Sequence, residues 1–286
     1  MRRGAVVEAA HVVHAVAVRD GETVATAGDA QLVTYLRSSA KPFQALPLAE
    51  SYPDADPREL AIASASHLAD AEQLAAVEML LARADAGEDD LECGPEGEPP
   101  RKIKHNCSGK HAAMLAVCRA RDWPREGYRL SSHPMQQTNS EHVAAAAGIS
   151  ERNVPTAVDG CGVVTFALTL ERMASMFTRL ESMPGGALVA AAMRRHPDLI
   201  RGGAAPDTVL MKTLPGSVAK GGAEGLLCGA FPDGTGFALK SADGAARPLG
   251  PALASLAARL GFDAGELAET PLVNSRGERV GAVSAA

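Results

Sequence analysis

Apolar residues recur every third or fourth position in "DAEQLAAVEMLLARADAG", which starts at Asp70, and that spacing predicts an amphipathic helix. Asp70 stands where an N-cap belongs, and Gly87 lies just past the last apolar turn, where a glycine stops a helix. Near the N-terminus the pattern changes to two short β-like runs, Ala15 to Arg19 and Glu22 to Ala27. They are separated by Asp20-Gly21, a dipeptide that tolerates the positive φ of a tight hairpin. Further helices are predicted from Ser108, Pro134, Leu168 and Gly185. From Ser217 to Gly244 strand-like runs return, with Pro232-Asp233-Gly234 as turn chemistry, before a last amphipathic helix around Pro251 to Leu260. "GEDDLECGPEGEPPRKIK" reads as an exposed connection. Hairpins therefore bracket a run of helices, which predicts an α+β fold with a mixed or antiparallel sheet rather than repeated βαβ units.

Composition narrows this picture. A chain of 286 residues can bury a full core, and we expect a single domain over 1–286. The formal net charge of -6 and the absence of a basic stripe interleaved with aromatics argue against a nucleic-acid partner. No apolar run is long enough for a bilayer, and "MRRGAVVEAAHVVHAVAV" is interrupted by Glu8, His11 and His14, unlike a secretory signal. A cytoplasmic protein with no membrane partner is the expectation. The five cysteines are odd in number and scattered, which is not a disulfide framework.

Two stretches carry candidate chemistry. In "YLRSSAKPFQALPLAE", Ser38 and Lys41 are three apart at the start of an apolar-periodic run, so one helical turn could bring hydroxyl and amine together. Lysine acts as a base near neutrality only if its pKa falls from about 10.4 toward about 7 to 8. Serine is equally a good N-cap, and Ser217 with Lys220 repeats the spacing, so the motif alone leaves both readings open. In "KHNCSGKHAAML", His105, Cys107, Lys110 and His111 crowd one segment, and far away Cys161 sits between Gly160 and Gly162 beside Asp159. Thiolates and a nitrogen suit zinc, yet no Cys-x-x-Cys pair is present, and buried structural thiols remain the alternative. His11 and His14 read as strand side chains, His133 and His196 as helix-boundary residues, and Met173, Met176 and Met183 as core filler.

Taken in order, "LRSSAKPFQALPL", "ASASH", "HNCSGKHAAML", "DGCGVVTFAL", "DTVLM" and "AKGGAEG" resemble the rhizobial-type L-asparaginases, the asparaginase II family. The resemblance implies a fold similar to serine β-lactamases and glutaminases, hydrolysis of the L-asparagine side-chain amide, and a homodimer. It assigns Ser38 and Lys41 to a first catalytic pair, with Arg37 just before it. Ser66 would be the second serine, with Ser64 close enough to compete for the register, and Lys220 its lysine, with Lys240 the alternative. Cys107, Lys110 and Cys161 would hold Zn2+, and Asp159, beside the last of them, would join Arg37 in substrate binding. The implied mechanism has Ser38 attack while Lys41 shuttles the proton and Ser66 with Lys220 completes a relay. This chain departs from the family's habit at Leu68-Ala69-Asp70, at Val164, where a proline is common, and at Ala204-Ala205-Pro206, where an arginine is common. Two rivals stay open. One is a penicillin-recognising serine hydrolase, suggested by Ser38-x-x-Lys41 and Lys220-Gly221-Gly222. The other is a non-catalytic, zinc-containing amino-acid binder.

Overall fold

The computed structural model describes residues 1–286. The Asp20-Gly21 hairpin forms as its sequence asks, with φ of 51° and 84° at the two turn residues, and pairs Val13–Arg19 antiparallel with Glu22–Ala27. Gly236–Ser241 lies on the other side of Val13–Arg19, followed by Leu226–Ala230 and then Val218–Gly222 at the far edge of a five-stranded antiparallel sheet. Side chains on a strand alternate between faces. Val16, Val18, Val218, Cys228 and Ala238 accordingly face a large helical core. Ala15, Ala17, Ala219, Leu227 and Leu239 face a smaller core under the helix Leu249–Arg259. With both faces covered, these strands read as nearly continuous apolar runs. Lys220 shares the face of Val218, so its side chain is aimed into the helical side.

There, the helices Pro57–Ala63, Ala71–Ala84 and Ser108–Ala120 pack against one another. Ala71–Ala84 starts with a full capping box: Asp70 accepts from the Gln73 N–H, and the Gln73 side chain accepts from the Asp70 N–H. It stops at Asp85, which takes the left-handed conformation at φ 50°. The expected terminator, Gly87, is two residues too late, because a short polar side chain can also enter that region. The helix expected from Leu168 starts at Leu170: Val164–Thr169 is instead the central strand of a small sheet, between Val33–Tyr35 and Thr156–Val158, and Thr169 caps the helix by accepting from the Arg172 N–H. The last helix starts at Leu249, two residues earlier than Pro251, since a proline in the first turn removes only an N–H that has no helical partner.

A four-stranded sheet unread in the sequence joins Arg2–Arg3 and Val6–Val7 to Arg279–Ser284 and Glu269–Val273. The architecture is α+β with antiparallel sheets. The charged connection before Ser108 is mostly exposed, but Leu91, Cys93 and Ile103 are buried and pin it down. No helix is long and apolar enough to cross a membrane.

Candidate active site

Leu36 is tied to the small sheet by its N–H, which donates to Phe166 O, and the chain then turns through Arg37–Ala40 into the short helix Lys41–Gln44. Arg37 sits at φ 47°, a strained conformation for a side chain of that size. The turn sends Ser38 toward a cavity and Lys41 and Ser39 into the interior. The Ser39 hydroxyl donates to Lys220 O at 2.8 Å, fastening this turn to the edge strand of the large sheet. That approach depends on Gly222, where a Cβ would come within 3.0 Å of both Leu36 O and Ser39 Oγ.

Lys41 is fully buried, and its Nζ has three oxygen neighbours, with the Cys107 side chain beside them. Ser66 Oγ lies at 3.0 Å, Asn106 O at 3.4 Å, and Ala65 O closer still. Burial lowers the Lys41 pKa, the Cys107 and Cys161 sulfurs oppose that, and Lys110 adds to it. Two of the three neighbours are carbonyls, which only accept. A neutral amine has two N–H groups for those carbonyls and one lone pair, and of the three oxygens only the Ser66 hydroxyl can donate to it. No hydrogen bond joins Lys41 to Ser38, the pair that sequence spacing suggested; Ser38 and Ser66 instead both line one cavity of about 460 Å³.

Ser66 is held from several sides. Its N–H donates to Ile200 O at 2.8 Å, and its carbonyl accepts from Arg201 Nη1 at 3.1 Å. His67 anchors the loop further: its Nδ1 accepts from the Ala69 N–H, so Nε2 carries the proton and donates to Ser108 Oγ, which donates to Ile103 O. Burial drives the His67 pKa down to about 3, so the ring stays neutral. The departure at Leu68-Ala69-Asp70 is thereby structural, with Asp70 spent on a helix cap. Ser64 is fully buried, donates to Leu60 O and does not line the cavity.

Lys220 lines the same cavity and is nearly fully buried, with Nζ donating to Gly221 O at 2.8 Å and lying 3.8 Å from Asp207 Oδ2. Burial lowers its pKa to about 7, Asp207 resists that, and Lys41 and Arg201 add to it. Asp207 was not singled out from the sequence. Its carboxylate accepts from the Gly221 and Thr208 N–H groups, at 2.9 Å each. Lys240 is on a different strand, donates to Ser241 O and does not line the cavity. Arg201, also missed, does line it.

Cys107, Lys110 and Cys161 converge beside Lys41 and are all buried. Cys107 precedes the Ser108 helix, and three residues on Lys110 points the same way, its Nζ donating to Cys161 Sγ at 3.2 Å. The Cys107 thiol has both Asn106 Oδ1 and the Cys161 sulfur as acceptors. That bond, then Lys110 and His111, hold the Cys161 thiol far below the usual range against the effect of burial. Burial opposes the Lys110 charge, but the two sulfurs outweigh it and raise its pKa. Of the other two donors of the segment, His111 also acts on Cys161, while His105 is held by backbone. His105 Nδ1 accepts from the Cys107 N–H, and His111 Nδ1 bonds Tyr128, although His111 Nε2 is buried without a partner.

No group of three His, Cys, Asp or Glu side chains that could hold a metal is present. What does converge, two sulfurs and an amine, has donor atoms that suit zinc, whose tetrahedral shell separates S and N by about 3.5 Å. Arg37 Nε donates to Asp159 Oδ1 at 2.6 Å, so these two neutralise each other, and neither lines the cavity with Ser38. Val164, at the second departure, pairs with Val158 in the small sheet, and at the third Ala205 and Pro206 open the helix that carries Asp207.

This α+β chain with buried lysines against cavity-lining serines falls into a defined class. The L-asparaginase II family model matches residues 1–285, and the chain belongs to that family of amidohydrolases. It is an L-asparaginase, and its small-molecule substrate is L-asparagine. A comparison with curated proteins gives no match.

Proposed function

We propose that the chain hydrolyses the L-asparagine side-chain amide through a serine–lysine relay in the cavity shared by Ser38, Ser66 and Lys220. The observation that carries this reading is the contact of Lys41 Nζ with Ser66 Oγ at 3.0 Å beside two carbonyls, in full burial. A buried amine that is short of acceptable protonation is a base, and its lone pair faces a hydroxyl. Ser66 is buried whereas Ser38 is half-buried, so Ser38 is the hydroxyl a substrate reaches. Ser38 Oγ attacks the carboxamide carbon, its proton passes to Ser66, and the proton of Ser66 passes to Lys41. The C–N bond then breaks as the relay runs backward and protonates the leaving ammonia. Water hydrolyses the aspartyl ester and frees Ser38. Lys220, whose pKa is about 7, keeps a second positive charge away from Lys41 when neutral.

Mass spectrometry during turnover tests the assignment. Ser38→Ala should abolish the aspartyl adduct, while Ser66→Ala should slow its formation about 10²- to 10⁴-fold, the range of a general acid–base group. An adduct on Ser66 in the Ser38→Ala variant would contradict it.

Zn2+, where bound, would be held by Cys107, Lys110 and Cys161, and would supply the positive charge that makes Lys110 give up its proton. We assign these residues a positioning role, because Asn106 and Cys107 adjoin Lys41 and the serines already provide the nucleophile. The wider reading is of one functional unit with the β-lactamase-like fold. Its support is the antiparallel sheet covered on both faces, with Lys220-Gly221-Gly222 on an edge strand. All five cysteines are free and buried, in keeping with a cytoplasmic enzyme. Its assembly as a homodimer rests on the family resemblance.

A further inference from the structure

Four charged side chains line the cavity of Ser38 and Ser66: Arg201, Asp207, Lys220 and Glu224. Two of them are committed. Asp207 and Lys220 are buried, lie 3.8 Å apart, and the Asp207 carboxylate already accepts two backbone N–H groups. The other two are exposed and free. Arg201 spends one N–H on Ser66 O and has no carboxylate partner, and Glu224 has neither a cationic partner nor a hydrogen bond. Glu224 is also held at φ 59°, in the three-residue turn that joins the edge strand of Lys220 to Leu226–Ala230. A glycine would adopt that conformation without cost, so the turn keeps a charged side chain at a strained position in the cavity wall.

We infer that Arg201 and Glu224 form a clamp for the charged end of the substrate, Arg201 taking the α-carboxylate and Glu224 the α-ammonium. This rests on the reading of the cavity as the amide-hydrolysis site. An α-amino acid brings one positive and one negative group, and the cavity wall offers one free charge of each sign. Arg201 is fixed to the Ser66 carbonyl, so a carboxylate held by its remaining N–H groups lies next to the reacting hydroxyls. The guanidinium has five donors in a planar fork, which suits a two-point contact with a carboxylate. The clamp selects L-asparagine over simple amides by leaving one of its charges unpaired whenever a ligand lacks the matching group.

Calorimetric titration with non-reacting ligands tests it: L-aspartate, succinate, which lacks the amine, and β-alanine, which lacks the α-carboxylate. Arg201→Ala should weaken L-aspartate and succinate at least tenfold and leave β-alanine within twofold. Glu224→Gln should weaken L-aspartate and β-alanine at least tenfold and leave succinate within twofold. Arg201→Lys, which keeps the charge and loses the fork, should recover part of the loss. Equal losses for all three ligands, unchanged L-aspartate affinity in either variant, or no binding of L-aspartate to the unmodified protein would overturn the clamp. Ammonia release from L-asparagine, measured on the same samples, reports separately on the amidohydrolase reading.

Discussion

Lys41 has no carboxylate to pair with, and its three contacts allow a neutral amine a complete set of partners. Lys41→Met should therefore fold with little loss of stability, since a buried amine is replaced by an apolar chain of similar length, while asparagine turnover falls by at least about 10³-fold. Melting temperature and ammonia release on one preparation check both halves. Lys220 supplies a pH signature. Burial lowers its pKa to about 7, whereas the unfolded chain holds this proton up to the ordinary lysine value of about 10.4. Between those pH values the unfolded state binds more protons, so this residue's contribution makes stability rise with pH. Below about pH 7 the buried charge is present and its penalty is complete. Lys220→Met removes the penalty, so its advantage in thermal melts should be greatest near pH 6 and shrink toward pH 10. A pH-independent difference would contradict the assignment.

At the level of elements, close approach is built on glycines inside otherwise ordinary motifs. Gly109 lies within the helix that follows Cys107, and a Cβ there would meet Ile62 O at 2.3 Å. Alanine gains about 1 kcal/mol of helix propensity over glycine, but forcing Ser108–Ala120 away from Pro57–Ala63 costs about 1–3 kcal/mol and also shifts Cys107 and Lys110. Gly109→Ala should thus lower the urea midpoint. Glu224 presents the opposite case: Glu224→Gly relieves a left-handed conformation and should stabilise by about 0.5–1 kcal/mol while weakening L-aspartate binding. Most elements were legible from periodicity and caps, as at Asp70 and His133, because those signals are local. The strand at Val164–Thr169 was misread, since a short apolar run beside a helix has no period of its own, and Leu168 continues the helical pattern backward. The terminal sheet escaped entirely: its two outer pairings are short local hairpins, but the central one joins Arg2 to Ala282, and no local spacing records that.

On the scale of the whole molecule, the cavity is assembled from six separate segments of the chain, around Ser38, Ser66, Asn106, Arg201, Lys220 and Ala246. Motif matching had named three of its lining residues, Ser38, Ser66 and Lys220, but spacing suggested a Ser38–Lys41 bond where the fold turns Lys41 toward Ser66, a contact across 25 positions. Asp207 and Glu224 lay inside quoted motifs without a role of their own, and Arg201 had no signal, because an exposed arginine reads as ordinary surface until a cavity is known to lie beside it. The paired thiols and Lys110 form a compact buried charge cluster next to Lys41, so disturbing one should be felt by the other. Zinc content measured by elemental analysis should be close to one ion per chain and lost in Cys107→Ser; no zinc in the unmodified protein would leave the thiol–ammonium cluster as the operating form. The most direct test of the whole account is ammonia release from L-asparagine by the unmodified protein and by Lys41→Met, with folding matched by circular dichroism. Steady release that falls at least about 10³-fold in the variant is the expected result; a folded Lys41→Met protein that keeps its turnover would contradict the claim that this buried amine drives the chemistry.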